Sequence, residues 1–383
     1  MRKGKSFLAL LLCVVMLCGL CAPASAEETE LERMITETAN ALSSAGGKAG
    51  SVLADTKLVS PGTSISDWIA ITLARSDTPE QYDQYLDGLK KYVEKCYRKD
   101  GGLHDIKATE YHRISLAVLS LGGDPTSFGK KSDGTPIDLI ADGTYNFGEK
   151  ELGLQGLNGW IWALIALDAS GADVPEDAKY SRQDMIDAII GAQNDDGSFS
   201  LDKGDGDVDI TAMAVQALSP YAAYYEREIN GALGWLSLEM SDECTFFYGD
   251  SESSESISQV IMALSALDWG VGDMAGFVRN GQTMYTALNR FRCSNGLYKH
   301  QQDDQEGDYL ATVQALQALL SIRGQENGSG YVFAYRGAMY PPRSGGGAST
   351  GRNNTALWIG IAAGVVVAAA AAVVVYGRRK RHG

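Results

Sequence analysis

Six aspartates crowd the stretch QNDDGSFSLDKGDGDVDIT, residues 193–211: Asp195, Asp196, Asp202, Asp205, Asp207 and Asp209. Carboxylates at this spacing suit three tasks: gathering around a hard cation, delivering a proton, or capping a helix. No Asp-x-Asp-x-Asp-Gly run with a glutamate at the closing position is present, so the loop is not an EF-hand. A calcium site here falls on Asp202, Asp205 and Asp207, which exceed what a turn needs. Asp209 is expected to cap the helix that follows.

A second set of chemistry-bearing residues stands at the starts of other apolar segments. It comprises Tyr111 and His112, Asn158 and Trp160, and Asp308 and Tyr309, with Glu110, Arg113, Ser256 and Gln259 close by. If these starts converge, they line a concave mouth where a small ligand would be met. Each has a structural use as well: Asp308 as an N-cap, Trp160 or Trp162 as packing between helices, His112 and His300 as lone histidines. Of Trp160 and Trp162, at most one can face such a mouth.

The elements that must position these residues repeat. AITLA, AVLSL, ALIAL, AVQAL, ALSAL and ALQAL begin at residues 70, 117, 163, 214, 263 and 315, a period of roughly fifty. Each copy reads as a polar amphipathic helix, as over 79–97, 181–193 and 281–293, then a Gly/Asp/Asn-rich turn. A more apolar, alanine-rich helix closes the copy, as over 209–221, 256–269 and 308–322. Helices apolar nearly all round belong inside, and those with one charged face belong outside. One copy cannot bury its apolar face alone, and closing the array removes the exposed ends. The expected fold is all-α, an α6/α6 toroid of six helical hairpins spanning residues 27–322.

At these residues the chain resembles the toroid repeats of terpenoid cyclases and protein prenyltransferases. Gln193-x-x-x-Gly197-x-Phe199 is similar to the cyclases' Gln-Trp repeat motif, with Phe in the place of Trp. The run NGWIWALIALD, residues 158–168, resembles one found in secreted Gram-positive toroids, a branch related to the toroid of cobalamin carriers. The resemblance implies the fold. The chemistry is a separate matter: the cyclases' Asp-x-Asp-Asp acid is missing, the nearest approach being Asp205-x-Asp207-x-Asp209. Ser, Gln and Leu stand where the prenyltransferases' zinc ligands belong, and about twenty residues after Leu320 leave no room for a carrier's β-domain. The preferred reading is a non-catalytic binding module for a small ligand (corrinoid, isoprenoid or glycan) or a surface protein. The alternatives are a cyclase or prenyltransferase-type enzyme and an extracellular carbohydrate-active enzyme.

The chain ends bear on location. Residues 1–26 read as a signal peptide, with Arg2, Lys3 and Lys5 ahead of an apolar core and Ala24-Ser25-Ala26 at its end. After an extension over 323–340 and a Gly/Ser-rich spacer over 341–355, residues 356–377 form an apolar run long enough to span a bilayer. The basic tail 378–383 places that end in the cytoplasm, giving a single-pass membrane protein with its toroid outside. This end resembles a Gram-positive wall-sorting signal: Thr350-Gly351 keeps the scissile pair, but Gly347 and Ala348 replace the Leu and Pro, so membrane anchoring is preferred to wall attachment. Setting aside three basic residues in the leader and four in the tail leaves 26 against 48 acids, about −22. Such a charge disfavours nucleic acid and favours cationic partners. Cys96, Cys244 and Cys293 are odd in number and lack zinc-site spacing.

Overall fold

The computed structural model describes residues 29–45, 51–270, 272 and 275–335. The signal peptide and the C-terminal spacer, apolar run and basic tail lie outside the described residues. Among those described, no helix is long and apolar enough to cross a membrane.

Among the described residues twelve α-helices follow one another: α1 (Glu30–Ser44), α2 (Ser64–Arg75), α3 (Tyr82–Asp100), α4 (Ala108–Ser120), α5 (Leu139–Gly143), α6 (Asn158–Ser170), α7 (Arg182–Ile190), α8 (Val208–Leu218), α9 (Glu226–Glu239), α10 (Ser254–Ala266), α11 (Met284–Asn289) and α12 (Tyr309–Asn327). Two short antiparallel ribbons, Phe247–Tyr248 with Ser251–Glu252 and Val278–Arg279 with Gln282–Thr283, are the extended structure among them. The even-numbered helices carry the alanine-rich segments and pack in sequence, α2 on α4, α4 on α6, and so on to α12, which returns to α2. They form a closed inner ring. Each odd helix packs outside the inner helix before it, and α1 packs on α12, so the first element covers the last. The core is therefore continuous around the ring, as the all-round burial of α6 and α10 requires.

The turn between an outer and an inner helix is built the same way in successive copies. The backbone N–H groups of Asn194, Ser241 and Cys293 each donate to the carbonyl four residues on, at 2.9, 2.9 and 2.8 Å. An aromatic residue then plunges inward: Phe199, Phe246 and Tyr298 are fully buried. Their carbonyls accept from the residue that caps the next helix, Asp207, Ser253 and Asp308, at 2.8–2.9 Å. Gln193 donates from its amide to Gly197 O at 2.9 Å and Glu228 O at 2.7 Å, tying the turn to α9. Gly197 has φ +93°, and a Cβ there would meet the Gly231 carbonyl at 2.4 Å, so this position takes glycine alone. The Gln-x-x-x-Gly-x-aromatic pattern is thus a fastening between units.

Several expectations need correction. The cap of α8 is Asp207, whose carboxylate accepts from Ile210 N at 2.9 Å; Asp209 sits inside the first turn and is free for other work. Helix α7 stops at Ile190 and α11 is only six residues long, so the expected outer helices 181–193 and 281–293 are shorter than their polar patterns suggested. Helix α12 runs to Asn327, past the expected boundary at 322. The residues after it turn back under the ring: Tyr331, Val332 and Phe333 are buried, and Phe333 packs edge-on or tilted against Trp162 at 5.4 Å and Trp68 at 5.9 Å. Val332 N donates to Ser321 Oγ at 3.1 Å and Arg75 donates to Ala334 O at 3.0 Å, which pins the segment in place.

Phe333 seals the ring from below, and its replacement opens a void against two tryptophans. Phe333→Ala is expected to cost about 3–5 kcal/mol of stability in urea unfolding, the range for deleting a buried aromatic ring. A loss under about 1 kcal/mol contradicts the seal.

Candidate functional site

All six inner helices begin at the same end of the ring, and between them lies a cavity of about 430 Å³. The helices present residues four apart to it, as neighbours on one helical face must be. Ser64 and Trp68 come from α2, Thr109 and Arg113 from α4, Asn158 and Trp162 from α6, Asp209 and Met213 from α8, and Leu310 and Gln314 from α12. Glu110, Gln155, Gln259, Val313 and Gln317 complete the wall, with Lys107 at the rim. The floor is the Trp68–Trp162–Phe333 cluster.

Side-chain amides connect the walls. Gln216 donates to Gln259 Oε1 at 3.0 Å, Gln259 to Gln314 Oε1 at 2.8 Å, and Gln317 to Thr72 Oγ1 at 2.9 Å. On the α4 side Arg113 donates to Asp67 at 2.9 Å and to Glu110 at 2.6 Å; Asp67 also accepts from Tyr85 and the Gly62 amide. Burial raises the Glu110 carboxyl, but Arg113 and then Lys107 more than offset this, so it lies below the usual carboxylate range. Arg113 is thereby committed to acids on its own side, while Lys107 stands exposed at the rim.

Asp209 is different. One of its carboxylate oxygens, Oδ1, is buried without a hydrogen-bond partner, and so is Oδ1 of Asn158 on the adjoining helix. The Asp209 carboxyl is pushed up to about 6, chiefly by burial; Ser256 opposes the rise, Asp207 and Glu255 add to it, and His300 opposes it. Glu255 is held by His300 Nδ1 at 2.8 Å and by the Ser254 hydroxyl at 3.1 Å.

The residues singled out from sequence are dispersed by the fold. Asn158 lines the cavity. Tyr111 and His112 share a helix with Glu110 and Arg113 but point away: Tyr111 accepts from Leu103 N at 2.8 Å and packs edge-on against Phe147. His112 is buried against the Gly143 carbonyl at 2.6 Å, and burial lowers it to about 4, so it stays neutral and donates from Nε2. Trp160 stacks edge-on with Tyr180 at 5.1 Å, leaving Trp162 to face the cavity. Asp308 caps α12, accepting from Leu310 and Ala311 N–H at 2.7 and 2.9 Å. Tyr309 lies in a separate groove with Glu37 and Arg292, where the first and last units meet. Asp207 is spent on its cap, while Asp202 and Asp205 lie exposed; among the described residues no three His, Cys, Asp or Glu side chains gather as a metal ion would need. Trp68, Gln155, Gln314 and Gln317 were missed. Of these only Gln314 carried a positional signal: like the wall residues Trp162 and Met213 it stands one place ahead of a repeated apolar segment.

No protein-family model matches the chain, and no curated protein matches it. Solved structures do. A type II terpene cyclase, MstE from Scytonema, is 15% identical with a TM-score of 0.49, covering 77% of this chain and 99% of its own. The Candida albicans protein geranylgeranyltransferase-I, solved with GGPP, is 11% identical with a TM-score of 0.51, covering 81% and 96%. The likeness is one of fold. The geranylgeranyltransferase match supports a mostly helical, toroid-like fold.

Because the Asp209 carboxyl is raised above its ordinary 3.8 in the folded chain, its contribution to stability is fullest below about pH 4 and is lost as pH rises through about 6. The loss is worth up to about 3 kcal/mol. Asp209→Asn is therefore expected to be more stable than the parent at pH 7.5 and to lose that advantage by pH 4, in urea titrations at both pH values. Equal stabilities at both contradict a desolvated carboxyl at this position.

Proposed function

We propose that this protein is a surface-displayed binding module that takes a small polar molecule into the cavity at the inner-helix starts. The observation that carries the reading is the wall: amides, hydroxyls and carboxyls converge on the space, and the chain's own Phe333 fills the apolar depth below. A concave space with convergent polar groups is where a small ligand is ordinarily held and oriented. Display outside the cell rests on the leader over 1–26 and on the apolar run 356–377 with its basic tail.

A second reading, acid catalysis on an isoprenoid chain, draws on Asp209, a buried carboxyl that is half-protonated near pH 6. It fits the cavity less well. An isoprenoid needs a long apolar tunnel, and here amide-bearing walls and a blocked floor occupy that space.

A thermal-shift series on the full-length protein in mild detergent tests the choice, with amines, sugars, corrinoids and isoprenoid diphosphates as additives. The expected result is an upward shift of a few degrees with a polar additive, since ligand at about a hundred times Kd adds about 2.7 kcal/mol. The shift should vanish in Met213→Trp, which places an indole in the cavity. A shift confined to isoprenoid diphosphates, accompanied by product formation, contradicts the binding-module reading.

A further inference from the structure

The rim of the ring carries apolar side chains that the fold leaves uncovered. Among the described residues ten large hydrophobic or aromatic side chains are exposed, and eight of them stand within seven residues ahead of an inner helix or in its first turn. The other two, Tyr224 and Leu238, belong to the loop after α8 and to α9. Exposed apolar side chains scattered singly need no explanation; gathered at one end of a molecule they mark a contact surface.

The segments that bear them are joined side by side. Leu157 N donates to Leu201 O at 2.7 Å, linking the leads into α6 and α8. Helices α8 and α10 pack directly on each other. Ser254 N donates to His300 O at 3.2 Å and Ser253 bridges to Gln301, linking the leads into α10 and α12. Phe247 and Tyr248, 52% and 65% exposed, stand on the ribbon ahead of α10; Leu201 precedes α8, and Tyr309 and Leu310 open α12.

The same stretches are strongly acidic. Residues 201–207, 247–253 and 299–310 hold nine Asp and Glu against two lysines. Asp202, Asp205, Asp250, Asp303 and Glu306 are exposed. Of the two lysines, Lys299 donates to the Gln302 carbonyl at 3.2 Å, and the neighbouring His300 is held by Glu255 at 2.8 Å. Charge decides among the occupants that such a face could take. A membrane is met by aromatic side chains set among Lys and Arg, which anionic headgroups attract; acids at these positions are repelled. A second copy would set nine acids against nine. What complements apolar side chains set among carboxylates is a polypeptide that bears apolar and basic side chains together. Its charge steers the approach, and its apolar groups exclude water.

We propose that the leads into α8, α10 and α12 form a docking surface for a basic polypeptide segment of a partner protein, with Phe247 and Tyr248 as its apolar anchor and the surrounding carboxylates answering the partner's charge. Of the residues named for this surface, Leu310 alone also lines the cavity, so the two sites are separable by mutation.

Fluorescence anisotropy on the full-length protein in mild detergent tests this with three short labelled peptides, made of Lys-Tyr-Gly, Lys-Ser-Gly and Glu-Tyr-Gly repeats. The Lys-Tyr-Gly peptide is expected to bind about tenfold more tightly than either of the others, about 1.4 kcal/mol. Its affinity should fall as salt rises from about 50 to about 500 mM. Phe247→Ser with Tyr248→Ser should weaken it about fivefold or more, as should Asp303→Lys with Glu306→Lys. Tyr224→Ser, at the opposite end of the ring, should leave it unchanged. The substituted side chains are exposed, so every variant should keep the parent's Tm. Equal binding of the Lys-Tyr-Gly and Lys-Ser-Gly peptides overturns the proposal, since charge alone then accounts for it. So does an affinity indifferent to the rim substitutions, or no binding at millimolar peptide. A dimer in sedimentation that Phe247→Ser with Tyr248→Ser splits assigns the face to a second copy and overturns it too. Quenching of Tyr248→Trp fluorescence by brominated acyl chains, in protein reconstituted into vesicles, assigns the face to the membrane with the same consequence.

Discussion

Ring closure is the constraint on which the rest of this structure depends. The inner helices are apolar on almost every side, so each needs an inner neighbour on both flanks and an outer helix behind. An open row of six pairs would leave α2 and α12 each with a bare flank. Packing α12 against α2, and covering it with α1, removes both bare flanks together. The first and last helices of the described residues are thus mutually dependent, and they meet in space although they are far apart in sequence. Closure also fixes what is left at the centre. Six helices of ordinary diameter cannot meet at a point, so the ring encloses a space that must be filled by side chains, by ligand, or by another segment.

This molecule divides that space. The lower part is filled by the chain itself, as Phe333 inserts below Trp68 and Trp162. The upper part remains open and is lined by polar groups. The segment that closes the lower part, residues 331–335, lies between the ring and the Gly/Ser-rich spacer.

Much of the fold was legible in the sequence, because the repeat of about fifty residues carries its own logic. Apolar segments at regular spacing announce inner helices, and Gln193, Gly197 and Phe199 announce the turn. The site was legible only in part. Residue type identified Asn158, Glu110, Arg113 and Asp209 as chemistry at helix starts. It could not give helix rotation: one step along a helix turns a side chain by about 100°, enough to send Tyr111 and His112 outward while Glu110 and Arg113 face in. The same ambiguity exchanged the roles of Asp207 and Asp209. Aligning Asp207 and Thr211 with Asp308 and Thr312 would have resolved it, since Thr211 and Thr312 both accept from the buried aromatic of their turn at 2.9 Å. Phe333 was illegible, since it belongs to no repeat and its two tryptophan partners lie more than 150 residues away.

The functional account reduces to one physical statement: the six inner helices wall a polar cavity above a floor that the chain itself fills. The most direct test is a crystal structure of the protein with the polar additive that gives the largest thermal shift. The account predicts density for that additive within the wall formed by Asn158, Trp162, Asp209, Gln259 and Gln314, above an unmoved Phe333. Density for the additive elsewhere in the molecule, or in a space opened by withdrawal of Phe333, contradicts it.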